Sequence, residues 1–121
     1  MASSPQRRVV HLVDAIVAGQ GDGPLAPEPL PLGLVFAGNN AACVDWFGAR
    51  ILGYDPELVP IVREAFGGFK WPIAASQPNE ITLSGDWGTG RLDEVGVRET
   101  PPVIHPLGWR DAATPAFAKR A

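Results

Sequence analysis

The sequence predicts an α/β fold: a small sheet of three to four strands, partly parallel, with two main helices and long Gly/Pro-rich loops. Three observations predict it. Val9 to Val17 is nearly continuous in apolar, often β-branched residues, with Val9, Val13 and Val17 on one face and Val10, Leu12 and Ile16 on the other. A strand covered on both sides reads this way. Leu34 to Pro56 reads as strand, tight turn and helix. The 14 glycines and 13 prolines of the 121 residues are clustered, which separates ordered elements from long loops.

The elements follow in chain order. Residues 1–8 form a polar, flexible N-terminus. In the first strand Asp14 interrupts the apolar run, and a buried carboxylate there needs a partner. Gly19, Gly21 and Gly23 then alternate around Asp22, and Pro24, Pro27, Pro29 and Pro31 follow. Glycine permits tight turns and proline stiffens the chain, so a turn followed by a semi-rigid crossing segment is expected. A phosphate loop would open directly into a helix, and this segment runs into prolines instead.

Leu34 to Ala37 reads as a short buried strand, broken by Gly38. Asn39 and Asn40 are of the type that caps a helix start. Cys43, Phe47 and Ile51 recur at helical spacing with Val44 beside them, and Gly53 ends the helix. Asp55 and Pro56 begin a single turn to Val59, and a helix is expected from about Pro60 to Phe66, packing Ile61, Val62, Ala65 and Phe66. Pro72 argues against a central strand at Phe69 to Ile73. Glu80 to Ser84 reads as a short strand, and Leu92 to Val97 as a further one. Residues 9–98 are therefore read as one α/β domain and 99–121 as an extended or disordered tail.

Composition bounds the function. A net charge of −3 gives no basic field for nucleic acid. No apolar run approaches the length of a membrane span. The N-terminal apolar stretch is short and holds His11 and Asp14, so it does not read as a secretory signal, and a cytoplasmic location is expected. One cysteine allows neither an internal disulfide nor an iron–sulfur cluster in this chain.

Three carboxylates are candidates for a site. If the two strands are parallel neighbours, Asp14, Asp22 and Asp45 approach one sheet edge, where α/β proteins place ligands. Such a set suits a hard cation such as Mg²⁺. Gly21 and Gly23 would let a ligand approach the backbone, and amides near Asn39 and Asn40 would suit an anionic group. The ligand set is thus Asp14, Gly21, Asp22, Gly23, Asn39, Asn40 and Asp45, with Asp14, Asp22 and Asp45 as metal ligands. The competing reading has Asp14 and Asp45 bonded to loop backbone, holding the glycine-rich turn. Cys43 reads as core, because a reactive thiol needs exposure and a lowered pKa. His105 reads as a surface side chain in the tail. Trp46 reads as packed near a loop, and Trp71, Trp87 and Trp109 as cover for an interface. No residue is assigned a catalytic role.

VVHLVDAIVAGQGDGP at Val9 to Pro24, LVFAGNNAACVDWFGARILGYDP at Leu34 to Pro56 and the downstream IVREAFGGF together resemble the C-terminal half of a large prokaryotic family, domain of unknown function 362. The likeness covers residues 9–68 well, and PPVIHPLGW loosely. Members usually carry an acidic residue where Asn40 stands, so no role of that carboxylate transfers here. Some members hold ferredoxin-like clusters, which Cys43 alone does not provide. The resemblance implies a half-length version of a domain whose chemistry is unsettled. Two expectations follow. One is a small anionic ligand, with or without a divalent metal, at the aspartate edge. The other is a structural or interaction module, completed by a homodimer or by a separately encoded N-terminal half.

Overall fold

The computed structural model describes residues 7–98 and 100–113. Strand β1 (His11–Asp22) and strand β2 (Ala26–Gly38) form one long antiparallel hairpin with its tip at Gly23, Pro24 and Leu25. Ile16 is opposed by two residues, Leu32 and Gly33, and Gly33 adopts φ 65°, the left-handed geometry of a glycine bulge. The second sheet is also a two-stranded antiparallel hairpin, β3 (Thr82–Gly85) with β4 (Gly88–Arg91).

This corrects the predicted sheet: among the described residues there is no parallel pair and no sheet of three or four strands. The reason lies in the proline-rich segment, which is itself the first half of β2. Pro27, Pro29 and Pro31 face Gly21, Gly19 and Val17. A proline has no N–H for a ladder, so the exchanged bonds fall to Ala18–Leu30 and Gln20–Glu28, and the proline nitrogens face the outer edge. The Gly21 N–H correspondingly leaves the ribbon and donates to the Ile104 carbonyl at 2.8 Å.

Helix α1 (Ala41–Ile51) forms as the sequence predicts. Asn40 caps it, its Oδ1 accepting from the Cys43 N–H at 3.3 Å. The helix ends in a Schellman motif. Tyr54 N–H donates to Ala49 C=O and Gly53 N–H to Arg50 C=O, with Gly53 at φ 73°. Ala42, Trp46, Phe47, Ala49 and Ile51 are buried, a stripe wide enough for two neighbours. The Phe47 ring meets Phe36 of β2 edge-on at 4.9 Å, and Trp46 meets Phe66 at 5.2 Å.

Asp55 caps a 3-10 turn at Pro56–Leu58, and α2 follows at Pro60–Glu64. Val62 packs into the core as predicted, whereas Ile61 is exposed. Leu92–Val95 is a helical turn, α3, rather than the predicted strand. Leu92 anchors it, 1% exposed, and Arg91 hydrogen-bonds Glu94 at 2.8 Å, which holds the Glu94 carboxyl below its usual pKa. The Arg50–Asp93 ion pair at 2.9 Å joins α1 to α3.

Residues 100–106 run extended against the rest of the chain, and Leu107–Ala112 forms a 3-10 helix. This strap is tied down by Asp55 N–H to Ala112 C=O at 2.7 Å and by His105 Nε2 to Leu52 C=O at 2.8 Å. His105 is buried, not a surface side chain. The parts of the predicted flexible terminus at 1–6 and of the predicted tail at 99 and 114–121 lie outside the described residues.

Candidate functional site

The hairpin has two unlike faces. His11, Val13, Ala15, Leu34, Phe36 and Gly38 point inward, and Ala15 is buried. Opposite pairs in an antiparallel ribbon share a face, so Leu12–Ala37 and Asp14–Val35 point outward. Val10 and Leu12 are each 72% exposed, and Ile16, Val17 and Val35 are all more than half exposed. The bulge turns both Ile16 and Val17 outward and so widens this apolar face.

Asp14 stands in the middle of that face. Its Oδ1 accepts from the Ile16 N–H at 3.1 Å, beside the bulge. It thus bonds to local backbone, but to the bulge rather than to the glycine-rich turn. Asp22 closes the far end of the same strand, roughly 25 Å away at the usual rise per residue. Asp45 is exposed on α1, on the inner side of the ribbon, and has no hydrogen-bond or ion-pair partner among the described residues. The three aspartates therefore do not converge: the edge that would have gathered them required parallel strands. Among the described residues no group of three His, Cys, Asp or Glu is placed to hold a metal ion.

The other predicted residues have structural duties. Asn40 uses both ends of its amide, capping α1 and donating from Nδ2 to Ile73 C=O at 2.9 Å. Asn39 is exposed. Gly21, at φ 73°, links the ribbon to the strap, and Gly23 sits exposed at the hairpin tip. Cys43 packs partly buried against the core, with Sγ 3.9 Å from Ser76 Oγ. A cleft of about 180 Å³ beside it is lined by Gly38, Asn39, Asn40, Ser76 and Thr82.

A larger groove escapes the sequence reading. It has a volume of about 520 Å³ and lies between the inner ribbon face, α1, α2 and the strap. Phe36, Val44, Leu52, Val62 and Trp109 line it, with Tyr54 and Asp45 as polar members. Burial raises the Tyr54 phenol above its usual pKa. The signal that points here is the side of α1 carrying Asp45, Gly48, Ala49 and Leu52. It could not be followed from sequence because the strap, read as a tail, supplies the opposite wall.

No helix among the described residues is long and apolar enough to cross a membrane. Compared with protein-family models, curated proteins and solved structures, the chain matches none.

Proposed function

We propose that this chain is a non-catalytic interaction module whose β1–β2 ribbon is covered by a separately encoded partner chain. The observation that carries this reading is the outer ribbon face, where Val10, Leu12, Ile16, Val17 and Val35 stand exposed together on a two-stranded sheet. Two strands alone are marginal in water, and contiguous apolar surface of this kind marks interaction sites. The resemblance to domain of unknown function 362 read from the sequence enters this proposal only as the source of a candidate partner, since no family model matches the chain. Its best-matching segments supply the ribbon and α1, and they resemble one half of a longer domain.

Asp14 selects against a second copy as the cover. Two ribbons packed face to face would bring two Asp14 carboxylates into one dry interface, where like charges cost free energy. A partner placing a Lys, Arg or hydroxyl over Asp14 meets no such cost. The test is co-expression with the N-terminal half of a member of that family. A stoichiometric complex is expected, and Leu12→Lys with Val35→Lys should abolish it while leaving the melting temperature of the isolated chain unchanged. Absence of a complex, or a stable symmetric dimer of the isolated chain by light scattering, overturns the proposal.

A further inference from the structure

We infer that the groove lined by Asp45, Tyr54 and Trp109 binds a small organic ammonium ion carrying an apolar body. Three observations on the inner side of the ribbon carry this, independently of the outer face. The first is size and lining. About 520 Å³ falls in the range of small-molecule sites, and such sites combine apolar walls with a few placed polar groups. Phe36, Val44, Leu52 and Val62 provide the walls.

The second is charge. Asp45 is the carboxylate of this groove, and nothing in the described residues pairs with it. The arginines of α1 and α2 are engaged elsewhere: Arg50 bonds Asp93, and Arg63 bonds Glu64 and the Glu57 carbonyl. An anionic ligand would meet the Asp45 carboxylate without a compensating cation, whereas an ammonium group supplies the missing partner.

The third is the aromatic wall. Tyr54 is held edge-on between His105, at 4.5 Å, and Trp109, at 6.3 Å. The strap fixes these rings through the Ala112 carbonyl and the bridge between Tyr54 and Ala113. Aromatic faces attract cations and accept apolar bodies equally well. The groove therefore offers a carboxylate for the charged end of the ligand and fixed rings and aliphatic side chains for the rest.

The test uses phenylbutylamine and its neutral analogue phenylbutanol, titrated into the full chain and followed by amide NMR. The amine should give saturable shifts at Asp45, Tyr54 and Trp109 at millimolar concentration. It should bind about two- to fivefold more tightly than the alcohol, the span expected for an exposed ion pair. Asp45→Asn should erase that difference without changing the fold, because the side chain is exposed and makes no bond. Asp45→Lys should reverse the preference in favour of phenylbutyrate. Equal affinity of amine and alcohol for the unaltered chain, shifts confined to other residues, or an unchanged preference in both variants overturns the inference.

Discussion

Val35 and Phe36 are neighbours on β2, yet their surroundings differ completely. Phe36 turns inward, meets Phe47 edge-on and helps seat α1. Val35 turns outward beside Asp14 and stays 57% exposed. The alternation of a strand explains the separation of directions, but not the chemistry, since both faces are apolar. Half-exposed antiparallel ribbons ordinarily alternate apolar with polar residues. Here only Asp14 interrupts the outer set. The inner face thus packs into the core, and the outer face is left exposed among the described residues.

That contrast can be broken or sharpened by measurement. The largest effect is expected from paired truncations on the two sides. Ile51→Ala, at a position 1% exposed, should cost about 2–5 kcal/mol in urea unfolding. Ile16→Ala, on the outer face, should stay within about 0.5 kcal/mol. Equal losses would mean that the outer face is covered by the chain itself.

A smaller effect is expected where the ribbon meets α1. A Cβ at Gly38 would come within 2.6 Å of Val44 Cγ2, and a β-branched neighbour cannot easily turn away. Gly38→Ala should therefore cost about 1–3 kcal/mol as an overpacked site. Adding Val44→Ala should recover part of it if that contact is the cause. Recovery failing would place the strain in the backbone.

The smallest effect concerns the strap side. Burial raises the Tyr54 pKa, so above pH ~10 the unfolded chain releases the phenol proton before the folded chain does. Stability should fall as pH rises through this region, and Tyr54→Phe should flatten that part of the profile. A profile unchanged by the substitution would show that Tyr54 is solvated and that the strap does not close over it.

The sheet topology was not legible, and what was legible of the fold was local. Asn40, Gly53, Asp55 and Pro56 mark α1 and the turn after it because caps and stops act within a few residues. The hairpin was not legible, because three alternating prolines look like a crossing segment unless their register against Gly21, Gly19 and Val17 is known. Leu92 to Val95 carried the apolar content of a strand, and its helical turn depends on Leu92 reaching the core and on Arg91 closing onto Glu94. The aspartate site failed for the same reason as the sheet: spacing along a sequence does not say whether two strands run together or fold back. Asp45 is exposed on α1, away from the buried stripe. The groove it lines is completed by residues from 54–62 and 106–109, which no local pattern connects to it.

The prolines of β2 also set a limit on how copies of this molecule can stack. With their nitrogens along the outer margin, Pro27, Pro29 and Pro31 leave that margin unable to donate to an incoming strand. On β1 the corresponding end is occupied where Gly21 bonds Ile104. The distal half of the ribbon is therefore a dead end for growth, and strand addition is confined to the half near Val10 and Val35. Stacking therefore has to begin at that half, on either margin of the ribbon.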